Sequence, residues 1–388
     1  KTSDPYGFVT KDVTTEPVPA VGTGSGSSPF DRFAPWNGMK QCKMDATGKV
    51  LSWIGDANWS SISTNFRMVY IPEFYVAYKS SGTKKYFYIS EKLKAGFSKH
   101  PGSGKFVGRY TLSGNNSSEP GYYPKVNITR SAARNKTKNI GSSKWHLYDF
   151  ATYCAIIWLY LIEFANWDCQ SKIGRGFVSG SSSTPSGNTD NMAYHTGCAG
   201  SGDTAIQYHW IENLWGNVYQ WVDGFNADGT TAYYCTDPSQ YADDTTTGYT
   251  QIGTLPASGW IKDLTVTDNG LLIPKTVGGS ETTFIPDYAY SSSGWLVLNV
   301  GGNWNNGSNA GLLYFNANNT SSNSNSNISA RLLFPTNLIR LIAQAFPRPL
   351  TEIIPRGRGL VGKLSKGPAG KKEVLIFLRE LDSSITKC

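Results

Sequence analysis

Most apolar stretches of the chain are short and are cut by turn residues. MVYIPEFYVAYK (68–79) and KYFYIS (85–90) set β-branched and aromatic residues between breakers, and they predict strands. NITRSAAR (127–134) predicts a turn into a short helix. One segment behaves differently. WHLYDFATYCAIIWLYLIEFANW (145–167) is apolar on almost every face, which predicts a helix buried in the body and not one with a wet side. Its most apolar run, Ala151 to Ala165, is shorter than the ~20 residues a spanning helix needs and it holds Glu163, so no transmembrane segment is expected. Gly174 to Gly187 reads as a Gly/Ser loop, Ile206 to Phe225 is dense with Trp and Tyr, and short strands alternate with turns out to Ala330. The expected class is α+β: loop-rich, with few helices and short antiparallel strands.

Organisation follows from where this pattern starts and stops. Residues 1–35, with GTGSGSSP at 22–29, read as an extended N-terminal arm or linker. A single body is expected over 36–333, followed by a basic tail over 334–388. The formal net charge of +8 changes the picture only when it is located. The tail has ten Lys/Arg and four Asp/Glu, so the body is nearly neutral. The basic balance is therefore no nucleic-acid footprint on the body, and no specific nucleic-acid partner is expected. The tail itself, with PRGRG at 355–359 and no aromatic interleaving, is a weak electrostatic signal. Aromatics at 13% argue against disorder. The six cysteines (Cys42, Cys154, Cys169, Cys198, Cys235 and Cys388) form no CxxC pair, and a chain this long folds without staples, so free or buried thiols are expected.

One window stands apart. Residues 301–330 contain ten Asn, against 16 in the first 300, an enrichment of about sixfold. Low-complexity Asn tracts usually mean disorder or aggregation. Here the Asn are interleaved with apolar anchors: Trp304, Ala310, Leu312, Leu313, Tyr314, Phe315, Ala317 and Ile328. The anchors can pack while the amides face out. NSNSN at 323–327 alternates strictly, so on a strand one set would share a face.

MVYIPEF (68–74), FATYC (150–154), IEFANWDCQSKIGRG (162–176), WGNVYQWVDG (215–224) and GGNW (301–304) occur in the order of the hallmarks of the formylglycine-generating-enzyme-like, C-type-lectin-type fold. The resemblance covers roughly residues 36–333. Within that fold, FIPDYAYSSSGW (284–295), GGNWNNGSNAGLLYFNANN (301–319) and SSNSNSNISARLL (321–333) resemble the variable proteins of diversity-generating retroelements, of the type carried by gut bacteriophages and their hosts. In such elements an error-prone copy directed at adenines replaces the variable repeat, here at about 286–331. Asn codons begin with two adenines and end in C or T, so randomising the adenines reaches many side chains and never a stop. The resemblance implies a non-enzymatic, hypervariable ligand-binding protein: a phage receptor-binding protein on the virion tail, or an adhesin on a bacterial surface. Its partner would be a protein or glycan on a host or environmental surface. The implied contact residues are Asn303, Trp304, Asn305, Asn306, Ser308, Asn309, Tyr314, Asn316, Asn318, Asn319, Asn323, Asn325 and Asn327. Amides, a hydroxyl and aromatic rings are the chemistry of adaptable paratopes. No cofactor or metal is expected. Oligomeric display, for instance as a trimer, would add avidity, although the sequence carries no oligomerisation signal.

The rival from another class is a formylglycine-generating-type oxidase. That chemistry needs a cysteine pair near the GGNW segment, and no Cys lies between Gly301 and Arg331. Gln220 also stands where that family's motif usually has Glu. A structural virion component whose Asn-rich face touches nothing is the second rival. Other signals are weak. His195 and Cys198 form HxxC with Asp190 and His209 nearby in sequence, but zinc sites usually show four ligands at tighter, paired spacings, so core or loop residues are the expected reading. His100 and His146 are isolated. Trp210, Trp215 and Trp221 could stack a sugar, but aromatics this dense are more often core. The Asn127–Thr129 sequon means little in a bacterial or phage setting.

Overall fold

A computed structural model of the chain describes residues 27–336 except 82–83, and also places the strand Phe8–Asp12. It is mostly β-sheet with few helices and many loops. Helix α1 spans Arg130–Lys138 and helix α2 spans Phe150–Phe164. Both match the sequence expectation. All 15 residues of α2 are buried, which is why its apolar residues crowd every face. Asp149 caps α2 by accepting from the Thr152 amide, and Lys105 pairs with the same carboxylate at 2.7 Å. No helix among the described residues is long and apolar enough to cross a membrane.

The helices pack against four sheets. The largest runs, in spatial order, through Thr250–Thr254, Thr231–Tyr234, Tyr219–Asp228, Trp295–Val300, Phe315–Asn319, Tyr288–Ser291, Gly259–Val266 and Leu272–Val277, with Ile328–Ser329 alongside Tyr219–Asp228. The Asn-rich window thus supplies central strands of the sheet. A six-stranded sheet takes Arg331–Pro335 between Lys105–Thr111 and His146–Leu147. A smaller sheet carries Phe66–Ile71's successor strands, Tyr75–Ser81 and Lys84–Ser90, as the 68–79 and 85–90 patterns predicted, with a break at Pro72.

Arg331 welds these layers. Its guanidinium is fully buried and donates to Gln220 Oε1 (2.7 Å), to the carbonyls of Gly108 and Arg109 (2.7 and 3.0 Å), and to those of Glu212 and Asn213 (2.7 and 3.2 Å). Burial pulls its pKa down to about 10, so the group remains charged at neutral pH. Gln220 completes the bridge by donating to the Asn213 carbonyl. The position that departs from the oxidase family's Glu therefore has a structural role. A second buried ionic group, Arg134 bidentate to Asp223 at 2.6 and 2.7 Å, ties α1 to the strand Tyr219–Asp228.

Two expected boundaries shift. Residues 29–32, placed in the arm by composition, form a 3-10 turn closed by a capping box between Ser28 and Asp31, and Phe30 is buried with its ring 4.6 Å from Trp36. At the other end Phe334, assigned to the tail, is buried within Arg331–Pro335. An apolar ring with a neighbour to pack on overrides the composition of its surroundings. Residues 337–388, including Cys388 and the basic cluster, lie outside the described residues. The five described cysteines are free, as expected, and all but Cys198 are buried.

Candidate functional site

The Asn-rich window folds as a strand, a pinned loop, a strand and an exposed turn. After Trp295–Val300 the chain reverses through Gly301 and Gly302, both at positive φ (87° and 76°), where a side chain would be strained. The loop 303–313 is then held from beneath by groups distant in sequence. Gln170 donates to the carbonyls of Gly307 and Ala310 (3.1 and 2.8 Å), and Gly180 to that of Trp304 (2.6 Å). The Leu312 amide donates to Cys169 Sγ (3.1 Å) and the Leu313 amide to Asp287 Oδ2 (2.6 Å). Gly311 lies so close to Asp287 that a Cβ there would stand 1.9 Å from Oδ1. Burial raises the Asp287 pKa well above the usual carboxylate range. The anchors Trp304, Ala310, Leu312, Leu313, Tyr314, Phe315, Ala317 and Ile328 are all buried, as the alternation implied.

The candidate contact residues divide. Asn305, Asn318, Asn323 and Asn325 are exposed, and Asn306, Ser308, Asn309, Asn319 and Asn327 are half-buried. The expectation of outward contacts fails for Asn303, Trp304, Tyr314 and Asn316, which are buried. Each has a physical reason. Asn303 shapes the loop, accepting from the Asn305 amide through its side chain (3.2 Å), while its own amide donates to Asn306 Oδ1 (2.7 Å). Trp304 fills the space under that loop, with its amide donating to the Asn217 carbonyl. Asn316 sits mid-strand between Tyr290 and Asn299 in the sheet register. Tyr314 is sandwiched between Tyr219 and Tyr290, with its hydroxyl 3.1 Å from that of Tyr219. The NSNSN segment is not a strand either. Residues 320–327 form a turn beyond Phe315–Asn319, in which the Asn127 amide donates to the Asn325 carbonyl (2.9 Å) and Ser321 bonds Asp244.

A row of rings joins the pieces, and sequence reasoning named only one of its members. Tyr219, Tyr314, Tyr290, Tyr288 and Trp260 follow one another at centroid separations of 5.6, 5.9, 4.5 and 5.5 Å. All except Tyr314 are half-exposed. Asn309 reaches Tyr290 and Ser308 bonds Glu281 (2.6 Å), so the pinned loop borders this row. The YAY alternation at 288–290 was the available signal, since residues two apart on a strand share a face. Such a surface offers large amphipathic rings and neutral donors and acceptors. The thiol that touches the window, Cys169, is fully buried, and burial pushes its pKa well up.

The weaker signals also resolve. Asp190 pairs with Arg67 and Arg109 (3.0 and 2.9 Å), and Cys198 lies exposed in a separate strand, so the HxxC spacing assembles no four-ligand site. Trp215 and Trp221 are core. Trp210 is partly buried and lies under the Arg109 guanidinium.

No protein-family model matches the chain, and no curated protein sequence matches it either. Among solved structures, it is similar to one described as "Major Tropism Determinant U1 Variant", at 15% identity, covering 86% of this chain and 85% of that one, with a TM-score of 0.28. A superposition this loose fixes neither fold nor function.

Proposed function

We propose that the chain is a non-enzymatic, diversified ligand-binding protein, with a C-type-lectin-type body presenting a variable repeat at about 286–331. One observation carries the reading: within 301–331 burial separates the side chains by type. Apolar anchors and backbone pins are inside, while most of the amides and Ser308 lie on loops at the surface. Change is tolerated where packing and buried hydrogen bonds are not at stake. The contact set is Asn305, Asn306, Ser308, Asn309, Asn318, Asn319, Asn323, Asn325 and Asn327, bordered by Tyr219, Tyr288 and Tyr290. Recognition is non-covalent and needs no cofactor. The rings supply area at low entropic cost and the amides supply adaptable hydrogen bonds. The partner is a protein or glycan on a host or environmental surface, and the setting is a phage tail or a bacterial surface. The basic segment after 336 serves as an attachment arm; the expected N-terminal arm is not free along its whole length, since Phe8–Asp12 pairs antiparallel with Lys84–Ser90.

The test is in the gene and on the surface. The coding DNA should have a near-identical repeat nearby that differs from it only at adenines. Absence of such a repeat sinks the diversification mechanism. A display library randomised at the nine contact positions should yield binders to a fixed protein target, and Tyr290→Ala should abolish their binding without unfolding the protein. Selected binders that survive reversion of all nine positions would place recognition elsewhere.

A further inference from the structure

A second constellation lies away from the variable surface and uses none of its residues. The two-residue turn between strands Ile206–Tyr208 and Ile211–Glu212 is His209-Trp210, with both residues at positive φ (42° and 71°). Asn-Gly is the usual occupant of such a turn. The conformation turns His209 inward, where it is almost fully buried and stacks on His195 at 4.4 Å. Asp31, from the capped turn at the start of the packed body, brings Oδ1 to 3.1 Å from His195 Nε2. Among the described residues that oxygen has no hydrogen-bond donor other than the His195 ring, while Oδ2 accepts from Tyr194 (2.7 Å) and from the Ser28 amide (3.1 Å). One ligand atom from each of Asp31, His195 and His209 lies within 4.8 Å of the others.

A second shell is present. Glu163, fully buried on α2, places Oε2 2.9 Å from His209 Nε2 and accepts from Tyr208 (2.8 Å), and its Oε1 has no partner. Neither Asp31 nor Glu163 pairs with Lys or Arg among the described residues. Two carboxylates are thus gathered around two imidazoles with no Lys or Arg paired to either among the described residues, and the charge of the fully buried Glu163 is costly to leave unanswered. His195 Nδ1 is held by Thr196 Oγ1 (3.0 Å), which orients its Nε2 toward Asp31. An open cleft of about 530 Å³, lined by Ser27, Ser28, Pro29, Asp31 and Arg32, gives solvent a route to Asp31.

We propose that Asp31, His195 and His209 form a binding site for a divalent transition-metal ion of the zinc class, with Glu163 orienting His209. Two nitrogens and one carboxylate oxygen suit zinc and its neighbours better than calcium or magnesium. Tetrahedral ligands at ~2.0–2.1 Å from zinc stand about 3.3 Å apart. The Asp31–His195 pair is already near that separation, and the third ligand, within 4.8 Å of the others, has to close by at most about 1.5 Å. A buried carboxylate behind a ligating imidazole is the usual outer-shell arrangement. The ion would cross-link the turn at Asp31 to a loop and a hairpin more than 160 residues later in the chain. It would act as a staple at the base of the body, not as a reaction centre. This revises the expectation of no metal, and it holds whether or not the variable repeat binds ligands.

The test uses the full chain, stripped with chelator and titrated with zinc sulfate by calorimetry, then with cobalt(II) for its visible spectrum. The expected result is one ion per chain, a rise in Tm of roughly 5 °C or more at saturating zinc, and a tetrahedral cobalt spectrum. Asp31→Asn and His195→Ala should each weaken zinc binding at least tenfold. Cys198→Ser, at the exposed thiol of the HxxC pair, should leave it unchanged. Asp31→Asn is nearly isosteric and guards against misfolding, with far-ultraviolet circular dichroism of the metal-free proteins as the check. No uptake of zinc by the folded wild type overturns the proposal, as does undiminished uptake in both Asp31→Asn and His195→Ala.

Discussion

If the repeat can vary because its support is rigid, then a conservative change in the support must cost far more than several non-conservative changes on the surface. Arg331→Lys is the sharpest form of this test. It keeps the charge and most of the stem, and removes only the fork. The five N–H donors of Arg331 meet Gln220 and four backbone carbonyls, all buried. An ammonium has three donors on a single nitrogen, so at least two of these five acceptors are stranded. A stranded buried acceptor costs about 1–3 kcal/mol, which puts the substitution at about 2–6 kcal/mol. The comparison is the triple variant Asn305→Ser, Asn318→Ser, Asn325→Ser. These side chains are exposed and their hydrogen bonds are local, such as that from the Ser326 amide to Asn325 Oδ1. Surface changes of this kind fall within about 0.5 kcal/mol each. Urea unfolding of the purified chain reads both as shifts in midpoint at unchanged slope. An Arg331→Lys loss below about 1 kcal/mol, or a triple-variant loss as large as that of Arg331→Lys, would refute the division between support and surface.

Three further expectations test individual supports. Asp287→Asn should flatten the decline of stability with rising pH in a urea series from pH 4 to 8, because burial raises the pKa of the native carboxyl and an aspartate with a raised folded pKa loses stability as pH climbs above its unfolded value. Gly311→Ala should lower the urea midpoint sharply, since its Cβ would collide with Asp287 at 1.9 Å, and a soluble variant of unchanged midpoint would contradict the close approach. His100 is fully buried, and burial foremost, with Lys105 adding, pulls its pKa to about 3 against the opposing effects of the Gly270 carbonyl and Asp149. The native state therefore binds fewer protons than the unfolded chain between about pH 6.5 and 3, and stability should fall through that window by up to about 1.4 kcal/mol per pH unit. His100→Gln should reduce that slope in midpoints measured from pH 7 to 5, and an unchanged slope would assign the effect to other groups.

The sequence was most informative where one local property decided the outcome. Helix α2 was legible because complete burial leaves no polar stripe, and the anchors of the window were legible because large apolar side chains have one low-energy place to go. Failures came where partners are remote. NSNSN alternates like a strand, but with every one of those residues at least half-exposed there is no buried face to hold a register, and turn hydrogen bonds prevail. Tyr219 and Tyr288 join the site through pairings between strands far apart in sequence. The Arg331 network and the meeting of Asp31 with His195 and His209 likewise depend on tertiary placement that no spacing rule encodes. The spacing of His195, Cys198 and His209 gave no sign of Asp31, which meets the two histidines only in the folded chain.

Two physical accounts of the Asn enrichment compete, and the structure separates them by position. Asn side chains favour turns because they can bond the backbone two residues on. That account suffices for Asn303, whose Oδ1 accepts from the Asn305 amide, and for Asn316, whose Oδ1 accepts from the Asn318 amide at 3.2 Å. It extends to Asn306, which caps the Asn303 amide. It gives no reason for Asn at 305, 318 or 323, where no side-chain bond to the backbone exists and Ser, Asp or Gly would serve the turn equally. Those positions are exposed, and the proposed codon-level origin applies to them. The same division limits what diversification can do: varying Asn303 or Asn316 changes the shape of the loop, whereas varying Asn305, Asn318 or Asn323 changes only what it presents. A repeat that varied all ten equally would alter its own scaffold along with its contacts, so retained binders should cluster their changes at the exposed subset.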